Sequence, residues 1–413
     1  MQLLQLALNR AGYGPLAKDG IFGNATRGAV LRFQSDNGLS ADGIAGPVTN
    51  QALMPWYTGF FTHRIRRGDT VFGLAELYGT TQEAIRIANP GLDALNLKIG
   101  STVTVPLPFD AVATDIDYSS SLVNYTVRGI AARYPFTAVG EMGKSVMGKP
   151  LWYMSAGSGG NRVFYNAAHH ANEWITVPLL LKFFETLAKA AAYGGSVFGQ
   201  NAGELLERST VYIAPLVNPD GVDLVTGALN QGEFYNNAKR IAANYPAFPF
   251  PSGWKANVRG VDLNLQYPAG WEQARENKFA QGIVSPAPAD YVGAAPLTAP
   301  ESRAVYDFTQ AISPELVLAY HTQGEVIYWK YLDYEPRNSR EIAETFSALS
   351  GYAYEDTPYA SGFAGYKDWF IQDYNRPGYT LEAGRGINPL PVSDFSEIYA
   401  RNLGILIYGA LVT

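Results

Sequence analysis

The run "RVFYNAAHHANEWITVPLLLKFFETLAKAAA", Arg162–Ala192, decides how this chain is read. Its opening, "RVFYNAAHH", is a short apolar stretch of the kind that forms a buried strand. Its end, "WITVPLLLKFFETLAKAAA", is too long for a strand. It carries Lys182, Glu185 and Lys189, so it reads as a buried helix and not as a membrane span. Between the two lie His169, His170 and Glu173. The chain has only 4 histidines in 413 residues, and two of them stand together beside this one carboxylate.

Working outward, the same alternation recurs. "STVYIAPLVNPDG", "ELVLAYHTQG" and "RPGYTLEAG" read as buried strands, and "PESRAVYDFTQAIS" reads as a helix. Such alternation predicts an α/β fold over residues 115–413, with a mixed, mostly parallel sheet flanked by helices. In sheets of this kind ligands gather beyond the carboxyl ends of the strands. His169-His170, Asn218–Asp220, His321 and Glu382 each follow an apolar run, which places them on one rim. His170 and Glu173, spaced i and i+3, turn to one side if the chain coils there. Outside the adjacent pair only His63 and His321 remain as imidazole donors, and His63 belongs to a different module. His170, Glu173 and His321 therefore form a candidate His₂Glu metal site with room for an open position.

Composition narrows the chemistry. Hydrophobic residues make up 47% and aromatics 13%, enough for real cores. The net charge of −6 gives no footprint for nucleic acid. The basic cluster "HRIRRGD", His63–Asp69, reads as a solvated face. There is no cysteine, so disulfides, thiolate ligands and a cysteine nucleophile are all excluded. The opening residues lack a basic n-region and a continuous apolar run, so they do not read as a signal peptide.

The first residues contain a repeat. "KDGIFGNATRGAV" (Lys18–Val30) echoes "ADGIAGPVTNQAL" (Ala41–Leu53). Gly20 and Gly43 suit turns with positive φ, and Thr26 and Thr49 fall in first helical turns. Residues 1–56 are expected to form a small three-helix module. "HRIRRGDTVFGLAELYGTTQEAIRIANPGLDALNLKIGSTVTVP" follows. It reads as strand, two short helices and a closing strand, with Asp69 or Thr70 as a helix cap, over residues 61–107.

These patterns resemble known families. The order DGIFG, AVLRFQ, NGL, DGIAGPVT resembles the peptidoglycan-binding domain of bacterial wall hydrolases. GDT, ANP and IGSTVTVP in a βααβ order resemble a LysM domain, a module that binds N-acetylglucosamine chains. "HHANEW", "LVNPDG", "WKANVRGVDLN", "PESRA", "YHTQG" and "GYTLEAG", in that order, resemble the carboxypeptidase A-like zinc carboxypeptidases. Within them they are most like the γ-D-glutamyl-L-diamino-acid endopeptidases that cut wall peptides.

The resemblance implies one Zn²⁺ per chain on His170, Glu173 and His321. It implies Glu382 as the catalytic proton carrier, which suits a carboxylate whose pKa is raised by an apolar strand. His169 is expected to pack. Asn264 is expected to help hold a substrate carboxylate, but the family arginine after it is Leu265 here. That departure argues against ordinary carboxypeptidase action, because leucine cannot hold a carboxylate. Lys255 or Arg259 would steady the oxyanion. Tyr359 would close over substrate, although its spacing to Asp368-Trp369 is off by one residue. Lys367 or Arg385 would meet a carboxylate of diaminopimelate or D-glutamate. Asp220 is expected to be structural.

The chain is thus expected to be a zinc metallopeptidase of bacterial peptidoglycan. It would act as a monomer on glycan chains and stem peptides, in the cell wall, secreted, or in a sporulation compartment, with neither nucleic acid nor membrane as partner. The alternatives are a wall-tethered general metallocarboxypeptidase and a non-catalytic wall-binding protein.

Overall fold

The protein is described here from a computed structural model covering residues 1–412. The chain divides into two compact units. One comprises residues 1–116 with 124–136, and the other comprises 117–123 with everything from 137 onward. The helix Ser120–Arg133 contributes to both. Its second half, from residue 124, groups with the first unit. A physical reason is visible: buried Arg133 Nη2 donates to the Gly59 and Leu107 carbonyls, and Tyr125 stacks on Tyr57.

In the first unit, helices Gln2–Arg10 and Asn24–Asp36 pack around Leu8, Val30 and Phe33. The expected third helix is broken at Leu53 into Pro47–Ala52 and Met54–Thr58. The repeat has a chemical basis. Gln5 Nε2 donates to Asp19 Oδ1, the Ile21 carbonyl and Thr26 Oγ1, and its Oε1 accepts from the Gly20 N–H. Gln34 makes the matching bonds to Asp42, Ile44, Thr49 and Gly43. Gly20 and Gly43 have φ of +77° and +72°, as a turn of this kind requires. The βααβ segment pairs Phe60–Arg64 antiparallel with Thr102–Pro106. Thr70 and Thr81 cap its two helices by accepting from Gly73 N and Ala84 N. Asp69 is not a cap; it accepts from His63 Nε2 at 2.8 Å and Arg66 N at 2.6 Å.

The second unit is built on an eight-stranded sheet. Its order is Ala353–Glu355, Val326–Tyr328, Gly378–Glu382, Leu316–His321, Asn161–Ala167, Ser209–Ala214, Pro150–Ala156, Ala138–Lys144. The four strands from Gly378–Glu382 to Ser209–Ala214 are mutually parallel, while antiparallel pairings flank them on both sides. The strand Leu316–His321 is buried at every position, as a strand covered on both faces must be. Helix Thr176–Ala192 buries Val177, Leu179–Leu181, Phe183, Phe184 and Leu187. Because the four central strands run the same way, their carboxyl ends share one rim.

Candidate active site

The rim assembles the predicted trio. The strand Asn161–Ala167 ends three residues before His170, and Ala171–Glu173 forms a single 3₁₀ turn. That turn brings Glu173 back to His170, with His170 Nδ1 3.0 Å from Glu173 Oε1. His321 closes the neighbouring strand, with Nδ1 2.9 Å from Glu173 Oε2 and 3.2 Å from His170 Nδ1. Among the described residues this is the one group of three such side chains near enough to share a cation, with ligand atoms within 4.8 Å of one another. His63 is held elsewhere, by Tyr78 and Asp69.

The trio fits zinc. Two ligands about 2.0–2.2 Å from one tetrahedral ion stand roughly 3.3 Å apart, close to the separations seen here. His170 Nε2 donates to Asp262 Oδ1 at 3.1 Å, which fixes the tautomer and leaves Nδ1 facing the shared point. Asp262 in turn accepts from the backbone N–H of Asn264 and of Asp290. The sequence reading did not assign Asp262 a role, although it stands two residues before Asn264 in "RGVDLN". Only a view of what faces the second nitrogen of His170 reveals it.

The electrostatics favour a cationic guest. Burial, the largest influence on His170, opposes its charge, yet Glu173 and then Asp262 outweigh it and push the imidazole up to about 10. Burial also works to raise Glu173 and Asp262, but His170 and Lys255 are among the charges that hold both carboxylates below their usual range. His169 is fully buried against Tyr267, which it meets at 2.8 Å, and burial drives its pKa well down.

Glu382 ends the strand Gly378–Glu382, paired in register with His321. Burial raises its pKa, and the nearby Glu173 charge adds to this. It lines a cavity of about 340 Å³ together with His170, Lys255, Asp262, Asn264, Leu265 and Lys367. Lys255 Nζ lies 3.2 Å from Glu173 Oε1, where it stays charged. Asn264 Oδ1 accepts from the Tyr366 N–H at 3.0 Å, so its amide nitrogen is the end left for the cavity.

Four sequence expectations differ from what is found. Arg259 lines a separate cavity of about 690 Å³, so Lys255 is the cation beside the trio. Arg385 is 75% exposed and pairs with Glu325 at 2.7 Å, beside a third cavity. Tyr359 is 66% exposed with its ring edge-on to Phe363, while its neighbours Pro358 and Ser361 line the site. Lys367 reaches the cavity, but its ammonium is committed to the Lys330 carbonyl, Thr357 Oγ1 and Asp368 Oδ1 at 2.6, 3.1 and 2.7 Å. Two hydrogen bonds and one buried ion pair therefore hold the Lys367 ammonium to the protein itself. These four depend on where loops and side chains point, which spacing does not encode. Asp220, as expected, is structural: its carboxylate accepts from Met147 N and pairs with Lys149.

Comparison with known proteins agrees with this arrangement. A zinc carboxypeptidase family model matches residues 123–403, a peptidoglycan binding domain matches 1–53, and a LysM domain matches 63–106. The chain is 44% identical over 293 residues to gamma-D-glutamyl-L-diamino acid endopeptidase 1 of Lysinibacillus sphaericus, covering 71% of this chain and 72% of that protein. Over 49 residues it is 59% identical to the zinc D-Ala-D-Ala carboxypeptidase of Streptomyces albus G, covering 11% of this chain and 19% of that one. The fold is like that of carboxypeptidase A from Helicoverpa armigera, with a TM-score of 0.56 at 17% identity, covering 86% of this chain and 99% of that one. The chain therefore belongs to the zinc carboxypeptidase family, and it carries two peptidoglycan-directed modules ahead of that domain.

Proposed function

We propose that the protein hydrolyses the amide between the γ-carboxyl of D-glutamate and a diamino acid, diaminopimelate or lysine, in peptidoglycan stem peptides. The observation that carries this reading is the His170–Glu173–His321 trio, whose His170 lines the same cavity as Glu382, in a chain that also bears wall-directed modules. The 44% identity to a relative named for that bond supports it.

His170, Glu173 and His321 would hold one zinc ion, which when bound polarises water and the scissile carbonyl. Glu382 takes a proton from the attacking water and delivers it to the departing nitrogen. Its raised pKa suits a group that must hold that proton between the two steps. As the C–N bond breaks, the products are a free γ-carboxylate and the amine of the diamino acid. Lys255 stabilises the negative oxygen that develops on the carbonyl, as a point charge at the cavity wall. Leu265 itself brings no charge to the Asn264 wall, which argues against ordinary carboxypeptidase action. The peptidoglycan-binding and LysM modules support an activity at the cell wall.

The test is mass spectrometry of products from the zinc-loaded protein with L-Ala-γ-D-Glu-diaminopimelate, alongside an α-linked analogue. Release of diaminopimelate from the γ-linked peptide alone is expected. Preference for the α-linked peptide would make it a general carboxypeptidase. Cleavage of neither, on wall fragments as well, would leave a binding protein.

A further inference from the structure

Three lysines line the cavity of the metal-binding trio, and their ammonium groups are not equally engaged. Lys367 donates to the Lys330 carbonyl and Thr357 Oγ1 and is ion-paired with Asp368. Lys255 faces Glu173. Lys278, on helix Trp271–Ala280, meets among the described residues only Asp290 Oδ1, at 2.5 Å, so two of its donors remain. Its side chain is 12% exposed, against 37% for Asp290.

Its position is defined by a chain of bonds. The Asp290 N–H donates to Asp262 Oδ2, and Asp262 Oδ1 accepts from His170 Nε2. Lys278 therefore stands one aspartate away from the carboxylate that braces a metal ligand. Asp290 is held at a φ of +68°, a left-handed conformation that aspartate tolerates better than most residues. The Asn264 amide nitrogen faces the same cavity.

We propose that Lys278 supplies the charge of a receptor for a substrate carboxylate, beside the Asn264 amide that the family resemblance already assigns to that work, and sets specificity in the reaction proposed above, on which this inference rests. An ammonium with donors open to the cavity can meet a carboxylate there with charge-assisted bonds. The stem peptide offers two such groups near the bond cut, the α-carboxylate of D-glutamate and that of the diamino acid.

Calorimetric binding to the zinc-loaded full chain distinguishes them. The probes are diaminopimelate and its α-carboxamide, and L-Ala-D-Glu and L-Ala-D-isoglutamine. In the unaltered protein one free acid is expected to bind about ten- to a hundredfold more tightly than its amide. Lys278→Ala collapses that preference and Lys278→Arg restores much of it, a pattern that a merely structural ion pair would not give. The discriminating pair identifies which carboxylate is held. An acid–amide ratio unchanged in Lys278→Ala, or no such preference in the unaltered protein, overturns the proposal. Should Lys278→Ala fail to fold, Lys278→Met is read against the same ratio. Turnover of the γ-linked tripeptide is followed in parallel. If it fails while the preference and its loss persist, the assigned reaction falls and the carboxylate receptor stands.

Discussion

At the scale of single residues, Glu382 and Asp262 are both carboxylates near His170 or His321, and their surroundings give them different work. Burial raises the pKa of Glu382, against the pull of His321 and Lys255. Asp262 is fixed by three N–H donors, among them His170 Nε2, and stays ionised. Glu382→Gln is expected to lower kcat by about 10²–10⁴-fold, the usual range for losing a proton carrier, while zinc content is kept. Metal analysis beside single-turnover kinetics checks this, and loss of zinc along with rate would make Glu382 a holding group instead. Asp262→Asn is expected to weaken zinc binding about 10–100-fold, because the brace on His170 sets its orientation and basicity. Competition with a chromogenic chelator measures it, and unchanged affinity would mean that the turn at Ala171–Glu173 orients His170 unaided.

At the scale of elements, the two DGIxG turns are each organised around one buried glutamine. Gln34→Ala removes the acceptor for the Gly43 N–H and the donor to Asp42, Ile44 and Thr49. Leaving such groups unsatisfied should cost about 1–3 kcal/mol, seen as lost hydrogen-exchange protection confined to residues 1–57. Asp19 and Asp42 add a pH dependence. The Gln5 side chain, with the Ile21 N–H, lowers Asp19 below its usual 3.8. The Ile44 N–H, with Gln34, does the same for Asp42. A depressed folded pKa gives stability that is complete above the usual value and is lost as pH falls through the lower, folded one. The amide signals of Gly20 and Gly43 should therefore hold their positions down to about pH 4 and shift together below it. Shifts beginning well above that pH would show that the carboxylates do not organise these turns.

At the scale of the whole molecule, wall-directed modules on the same chain as a peptidase raise the local concentration of stem peptides without any new contact at the active site. Soluble N-acetylglucosamine oligomers are therefore expected to slow release of peptide from intact sacculi and to leave hydrolysis of a free tripeptide unchanged. Equal inhibition of both would place the sugar in the catalytic cavity. The large sheet gives the peptidase its rigidity: His321 and Glu382 end paired parallel strands, so backbone bonds set their separation.

Much of this was legible in the sequence, for definite reasons. Strand and helix periodicity gave the α/β alternation, and the scarcity of histidine singled out His170 and His321. The i, i+3 spacing implied the coil that turns Glu173 back, and the repeat announced two equivalent turns. Such features are local, set by side-chain period, turn chemistry and composition. Other features arise where distant segments meet. Asp262 became a brace only when the loop carrying it faced the second nitrogen of His170. Lys367, expected to be free for substrate, was taken up by Lys330, Thr357 and Asp368. Arg259 and Arg385 turned to other cavities, and Lys278, which no motif marks, reached this one through Asp290. The sequence by itself determined which residues could do chemistry, because local pattern places them at strand ends. Only the tertiary structure decided which charges are already paired and which remain open to a ligand, because pairing depends on separations between segments that a linear spacing does not carry.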